Sequence, residues 1–174
     1  SYPSKAKIFG KSVAEFGGSN EYFDAPAIFN PGTGDYTLSF WVYLPSGTFT
    51  VNLFGWYIST NDHWSWSVTS SSQIHSISSK VGGVSSDGIL IATSDGATGG
   101  AWQMLTLTSD RSAGSNGMTI YNNGSPVTVS LSISNNTTEA DFTPSTAIEI
   151  GRTSVNGTYG YASSGTKIAE FRWY

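Results

Sequence analysis

A strict alternation of apolar and polar residues is the feature that most limits the fold of this chain. In residues 36–44, YTLSFWVYL, the side chains at 36, 38, 40, 42 and 44 fall on one face, because successive side chains of an extended strand point to opposite sides. Similar short apolar runs occur at residues 49–58, 64–68, 88–94, 102–109, 118–124, 127–134, 147–151 and 167–174. No segment has the 3.6-residue period of an amphipathic helix. The pattern predicts an all-β protein.

Turn-forming residues separate the predicted strands. Glycine follows asparagine at Asn116–Gly117, Asn123–Gly124 and Asn156–Gly157, and these pairs favour tight turns between antiparallel strands. The number and spacing of strands are typical of a two-sheet antiparallel β-sandwich, or jelly roll. No linker or internal repeat divides the chain, so we expect residues 1–174 to form a single domain. Residues 69–88 approach low complexity, and we expect either edge strands with long loops or a flap there.

Charge and cysteine content exclude several classes of partner. The formal net charge is −4, with only eight Lys and Arg in 174 residues and no cysteine. The basic residues are scattered, so nucleic acid and anionic membranes are not expected partners. No apolar run is long enough to insert into a membrane, and disulfide scaffolds and thiolate metal sites are excluded. The chain begins at Ser1 rather than Met, and we expect it to be processed or part of a longer protein.

Several segments, taken together and in order, resemble the laminin-G-like, concanavalin A-like jelly-roll family. These are AEFGGSNEYFDAP (14–26), YTLSFWVYLPSG (36–47), AWQMLTLTSDRSAGSNGMTIYNNGSPV (101–127) and AIEIGRTSVNGTYGYASSGTKIAEFRWY (147–174). The resemblance implies a sandwich fold and, for residues 14–26, an opening hairpin. We expect Gly17, Gly18, Ser19 and Asn20 to form a tight turn between two paired strands.

The resemblance also implies a structural calcium between the opening turn and the last strand. Two positions that carry acidic side chains in many family members are Gly17 and Ala169 here. Since calcium binds several oxygen ligands that usually include carboxylates, we expect the site to be lost. The remaining candidate ligands are Glu21, Asp24 and Glu170.

Asp110 is a second candidate calcium ligand by the same resemblance, because some family members place an aspartate at this rim. The favoured interpretation is that Asp110 caps its own turn through side-chain hydrogen bonds. We expect no bound cofactor, with calcium as the alternative.

Catalytic motifs are incomplete in this sequence. Related glucanases use Glu-x-Asp followed closely by a second Glu, and here Glu139 and Asp141 are followed by Phe142, Thr143 and Pro144. The histidines, His63 and His75, accompany no Gly-x-Ser-x-Gly motif, and we expect both in loops or edge strands. The sequence therefore predicts a protein that is not an enzyme.

The richest candidate binding segment is GWYISTNDHWSW, residues 55–66. Sugars present apolar faces and hydroxyl groups, so a sugar site needs flat aromatic rings beside polar side chains. The candidate ligand-binding residues are Trp56, Tyr57, Asn61, Asp62, His63 and Trp64. Trp64 and Trp66 share one face of a strand. We expect Trp66 in the core and leave Trp64 open between the core and the site.

Residues 156–165, NGTYGYASSG, form a second candidate. So short a loop cannot bury both tyrosines, so we expect Tyr159 or Tyr161 to be exposed and available to a ligand or a neighbouring subunit.

The leading functional hypothesis is a non-catalytic recognition module that binds a glycan or a host cell-surface receptor. The richness in Ser, Thr, Gly and Asn is similar to that of viral and phage surface domains, so the expected location is extracellular or on a virion. The alternative is a structural virion or decoration domain that contacts identical copies as a homo-oligomer without a small ligand.

Overall fold

A computed structural model shows how the alternating strands are arranged. It describes residues 4–8, 11–18, 20–25, 32, 34–47, 50–59, 62–69, 73–79, 89–93, 97–110, 112–113, 117–134, 147–155 and 158–174. Within these ranges there is no α-helix, and hence none long and apolar enough to span a membrane.

Sixteen strands are present in the described part of the chain. They are β1 (Ser4–Ile8), β2 (Lys11–Glu15), β3 (Phe23–Ala25), β4 (Tyr36–Tyr43), β5 (Thr50–Ser59), β6 (Asp62–Thr69), β7 (Gln73–Ser79), β8 (Ile89–Thr93), β9 (Trp102–Ser109), β10 (Met118–Asn122), β11 (Ser125–Pro126), β12 (Val129–Ser134), β13 (Ile148–Ile150), β14 (Arg152–Val155), β15 (Thr158–Tyr161) and β16 (Lys167–Trp173). Sheet A has the order β1-β2-β16-β4-β9-β10-β11 and sheet B the order β12-β8-β7-β6-β5-β13-β3, while β14 and β15 form a separate hairpin. The predicted antiparallel two-sheet sandwich is confirmed.

The hydrophobic core lies between the two sheets. The apolar face of β4 is buried as the alternation predicts, and Phe40 at its centre is 1% exposed. Its ring meets those of Trp66 and Phe54 from sheet B at centroid distances of 5.2 and 6.0 Å, both edge to face. Such pairs add about 0.5–1.5 kcal/mol beyond the burial of their area. The core is therefore built on aromatic contacts between central strands.

A bulge in β16 changes which side chains face inward. The register of β16 against β4 shifts between Ala169 and Arg172, and Glu170 there has a φ of 52°. An extra residue in one strand moves the side chains after it to the opposite face. Phe171 consequently stacks on Phe40 inside, at 5.8 Å, and Arg172 is exposed outside.

The opening turn is not a hairpin, contrary to the expectation from the sequence. Strand β2 pairs with β1 and β16 in sheet A, whereas β3 pairs with β13 in sheet B. The segment between them therefore crosses from one sheet to the other. Gly18 and Asn20 adopt positive φ, at 115° and 68°, which glycine and asparagine tolerate better than other residues.

Three further expectations about strands are corrected. Strand β7, within the stretch of low complexity, pairs with β6 and β8 and is therefore an interior strand, not an edge. His63 in β6 and His75 in β7 accordingly lie in interior strands. The predicted tyrosine-rich loop, residues 156–165, instead contains β15, which pairs with β14 in a hairpin.

Candidate functional site

Trp56 and Trp64, two of the predicted sugar-binding residues, lie in the core. They are 2% and 1% exposed, and they stack on each other with ring centroids 5.6 Å apart and planes at 14°. The pairing of β5 with β6 sets Trp56 directly opposite Trp64 on the inner face. A ring that stacks on a sugar needs an exposed face, so the expectation that Trp56 presents a binding surface is wrong, and Trp64, which the sequence left open between the core and the site, lies in the core. Trp66 is buried, as predicted.

His63 is also buried, although it lies on the opposite face of β6 from Trp64. Ser65, two residues along, is buried on that same outer face. The hairpin of β14 and β15 packs against β5 and β6, and Asn52 Nδ2 donates a hydrogen bond to the Tyr161 carbonyl at 3.4 Å. This hairpin covers part of the outer face of sheet B, which explains why polar residues there are shielded from solvent.

The other predicted binding residues are only partly described. Asn61 lies outside the described residues, and so do the side chains of Tyr57, Asp62 and Tyr159. Tyr161 is half-buried at the end of β15. A ligand site at this end of the molecule stays a prediction.

Arg152 forms a cluster that sequence reasoning missed. Its Nε donates to Glu149 Oε2 at 2.8 Å, a second nitrogen contacts Glu149 Oε1, and its Cζ lies 3.5 Å from the centre of the Tyr22 ring. Burial alone would lower the pKa of the Arg152 guanidinium, because it disfavours the charged form. Hydrogen bonds with the Glu149 and Tyr161 side chains have a larger effect in the opposite direction, so the pKa of Arg152 is raised above its ordinary value. The cluster joins β3, β13 and the hairpin. Its role is to hold these elements together.

The Glu21 carboxylate accepts a hydrogen bond from within the opening turn. Gly17 donates its backbone N–H to Glu21, and a methyl group at position 17 would lie 3.0 Å from Glu21 Oε1. The Glu21 carboxylate thus lies where an acidic side chain at position 17 would have to begin. This geometry fits a turn stabilised by Glu21 better than a calcium site.

The remaining candidate calcium ligands do not converge. Glu170 accepts a hydrogen bond from Arg172 at 2.8 Å, and Asp24 is exposed on β3. Asp110 accepts two hydrogen bonds from Ser112, one from the backbone N–H at 2.9 Å and one from the side-chain hydroxyl at 2.7 Å. The interpretation of Asp110 as a turn cap is confirmed. These hydrogen bonds with Ser112 lower the pKa of Asp110. Across the described ranges, no three His, Cys, Asp or Glu side chains come together as a metal site requires.

The outer face of sheet A carries a group of exposed and partly exposed aromatic side chains. Trp41 is 38% exposed at the centre of β4, and Tyr43 and Trp102 are partly exposed beside it. Tyr43 pairs directly with Trp102 across β4 and β9, with ring centroids 5.9 Å apart. Trp41 pairs with Met104 in the same way. We call Trp41, Tyr43 and Trp102 the aromatic platform.

Charged side chains border this platform. Lys167 on β16 pairs with Glu15 at 3.1 Å, and its Nζ lies 5.8 Å from the centre of the Tyr43 ring. Such a cation–aromatic contact is worth roughly 0.5–1 kcal/mol at an exposed site. The platform therefore combines flat rings with donors and acceptors of hydrogen bonds.

The sequence contained a signal for this surface. Trp41 falls out of phase with Leu38, Phe40 and Val42, so once those residues are placed in the core, an indole must face outward. An outward tryptophan in a regular strand is the observation that could have identified the platform.

The two facing antiparallel sheets define a jelly-roll β-sandwich. The chain belongs to the concanavalin A-like lectin/glucanases superfamily, whose laminin-G-type family model matches residues 16–174. No sequence among the curated proteins matches this chain significantly.

Solved structures with the same fold have very different sequences. Domains LG4-5 of the mouse laminin alpha1 chain superpose with a TM-score of 0.64 at 13% identity, covering 98% of this chain and 41% of that one. The NanB sialidase of Streptococcus pneumoniae gives 0.65 at 15%, covering 93% and 26%. The CBM40 module of the Ruminococcus gnavus IT-sialidase, bound to alpha2,3 sialyllactose, gives 0.55 at 12%, covering 78% and 74%. At such identities these structures establish the fold alone.

Proposed function

We propose that this chain is a non-catalytic recognition module that binds a carbohydrate through the aromatic platform. The observation that carries the proposal is the exposure of Trp41 on an otherwise regular sheet face, beside Tyr43 and Trp102. A large exposed aromatic costs solubility, and contiguous exposed apolar surface marks interaction sites. A sugar ring offers an apolar face that matches an indole, together with hydroxyls for the polar border.

The similarity to a carbohydrate-binding module adds support. The R. gnavus module was solved with a sialylated sugar bound, and this chain covers 74% of it. Fold similarity alone does not transfer a ligand. The proposal therefore depends on the platform, and the relative supports only the general class.

The absence of catalysis is part of the proposal. The related glucanase motif needs a second glutamate that Phe142, Thr143 and Pro144 do not supply, and a carboxylate pair alone gives no acid and nucleophile unless it is held about 5 Å apart. Glu139 and Asp141 lie outside the described residues. The sialidase neighbour is an enzyme, but this chain covers only 26% of it.

A surface location agrees with this function. We propose that the module works outside a cell or on a virion, where a glycan or a glycosylated receptor is accessible. Its low charge content, 11% Asp, Glu, Lys and Arg, and its hydroxyl-rich surface support the proposal.

Glycan-array binding of the purified chain and of Trp41→Ala tests the proposal. We expect the chain to bind at least one glycan and Trp41→Ala to bind it at least about tenfold more weakly, the loss of about 1.4 kcal/mol that one stacking contact provides. Tyr22→Ala is the control, because Tyr22 is a half-buried aromatic residue that contacts Arg152 beside β3 of sheet B, away from the outer face of sheet A. Equal binding by all three proteins would contradict the role of the platform.

A further inference from the structure

We infer that the platform takes an uncharged oligosaccharide segment lying along β4. This inference deepens the proposed function and rests on it. It follows from two ion pairs that border Trp41 on either side along the neighbouring strand β16.

The first ion pair lies at the Tyr43 end of the platform. Lys167 is directly opposite Tyr43 in the register of β16 against β4. Its Nζ is 3.1 Å from Glu15 Oε1, and the two side chains are 27% and 37% exposed. A donor and an acceptor thus stand side by side at the edge of the tyrosine ring.

The second ion pair lies at the other end. Arg172 is opposite Ser39, and its guanidinium contacts Glu170 Oε2 at 2.8 Å. The bulge at Glu170 is what brings Arg172 to this face, because regular pairing after Ala169 would set Phe171 opposite Ser39 instead. The bulge therefore places Arg172 on the outer face of sheet A and Phe171 in the core.

Between the two ion pairs, β16 contributes a small apolar side chain. Ala169 is the residue opposite Trp41, which is 38% exposed. Ser39 and Tyr43 are four residues apart on β4, which is about 13 Å at roughly 3.3 Å per residue. This length suits more than one sugar ring, placed with the middle of the segment over Trp41.

The charges of the border favour a neutral ligand. Each of the two cations already has a carboxylate of the same chain beside it, so the border contributes no net charge. The whole chain carries a net charge of −4. An anionic ligand would have to displace Glu15 or Glu170 and approach a protein of like charge, whereas a neutral ligand would do neither.

The paired charged side chains can still form hydrogen bonds with the hydroxyl groups of a sugar. Ammonium and guanidinium groups only donate hydrogen bonds, ionised carboxylates only accept, and each hydroxyl does both. Exposed ion pairs contribute roughly 0–1 kcal/mol to stability, so their side chains can turn toward a ligand at small cost. Two neighbouring hydroxyls of a sugar can therefore bind a cation and its carboxylate together.

The test compares neutral and acidic polysaccharides at two salt concentrations. The probes are a soluble mixed-linkage β-glucan, a galactomannan and a dextran, against alginate, hyaluronan and polygalacturonate, measured by affinity electrophoresis and calorimetry. We expect binding to a neutral probe, with a Kd that changes less than about threefold between about 0.1 M and about 1 M salt, where the Debye length falls from about 10 Å to about 3 Å. A preference for acidic probes that weakens tenfold or more with salt would overturn the inference.

A variant that removes the two carboxylates provides a second test of the preference for neutral ligands. In Glu15→Gln/Glu170→Gln, the two cations lose their partners, so we expect measurable, salt-sensitive binding of alginate or hyaluronan to appear. Asp24→Asn/Asp110→Asn removes the same charge from exposed positions outside the platform and is the matched control. The same gain in both variants would show an effect of net charge alone and would count against the inference.

Failure of the inference can be distinguished from failure of the proposed function. If Trp41→Ala abolishes binding but every bound probe is acidic, the platform binds glycans and the inference of a neutral ligand is wrong. If none of the probes nor any glycan on the array binds, or if Trp41→Ala binds as the parent does, the proposed function fails, and the inference fails with it.

Discussion

Gly151 lies directly against the ring of Phe16. A methyl group at position 151 would be 2.1 Å from Phe16 Cε1, and the backbone there has a φ of 85°. The Gly151 N–H donates to the Leu53 carbonyl at 2.7 Å, and its own carbonyl accepts from Ala162 at 2.8 Å. This glycine joins the opening turn, sheet B and the β14–β15 hairpin at one point.

Gly151→Ala should therefore destabilise the chain by more than the conformational penalty alone. That penalty is about 1–2 kcal/mol for a residue other than glycine at positive φ, and the clash with Phe16 adds to it. Gly124→Ala is the control, since Gly124 has a φ of 81° with nothing within 4 Å of the added methyl group. Chemical denaturation measures both, and equal losses would contradict the contact with Phe16.

Trp56→Ala and Trp41→Ala should affect stability very differently. Trp56 is buried against Trp64, so its truncation should cost roughly 3–5 kcal/mol. Trp41 faces solvent, so its truncation should cost less than about 1 kcal/mol. Thermal and urea unfolding of the two variants checks this. A large loss for Trp41→Ala would mean that the platform is structural.

Position 170 should favour glycine over alanine. Glu170 has a φ of 52° in the β16 bulge, where glycine avoids the penalty of a Cβ atom. Glu170→Gly and Glu170→Ala both remove the exposed ion pair with Arg172, so the difference between them isolates the backbone. We expect the glycine variant to be more stable by about 1 kcal/mol in urea unfolding. A more stable alanine variant would argue against the bulge.

Asp110 should make a small contribution to acid sensitivity. Its hydrogen bonds with Ser112 lower its pKa below the ordinary value of 3.8. A carboxyl whose folded-state pKa is lowered stabilises the fold above the unfolded-state value, and the stabilisation is lost as the pH falls through the folded-state pKa. NMR titration of the Asp110 carboxyl should thus give a midpoint below 3.8. Ser112→Ala should raise it, and an unchanged midpoint would exclude the turn cap.

The sequence predicted the fold well because alternation survives in the strands that build the core. In β4 the period is unbroken, so both the buried face and the outward direction of Trp41 follow from residues 36–44. In β5 the register shifts between Asn52 and Phe54 and again between Tyr57 and Ser59. Alternation alone could not assign Trp56 to a face, and its burial was missed for that reason.

The clusters made by distant segments were beyond a sequence argument. Arg152 meets Tyr22 only because β3 and β13 are neighbours in sheet B, and no local pattern encodes that pairing. Arg172 lies on the outer face of sheet A because of a bulge at Glu170, and no glycine marks this bulge in the sequence. The strands could thus be predicted from the sequence, but the contacts that depend on sheet order and on bulges could not.

The most direct test of the account is an NMR titration of the indole N–H signals of the six tryptophans with a glycan that the array shows to bind. The account predicts that the signals of Trp41 and Trp102 shift first and saturate together, while those of Trp56, Trp64 and Trp66 stay in place. Shifts confined to Trp56 and Trp64, with Trp41 unmoved, would contradict a binding surface on the outer face of sheet A.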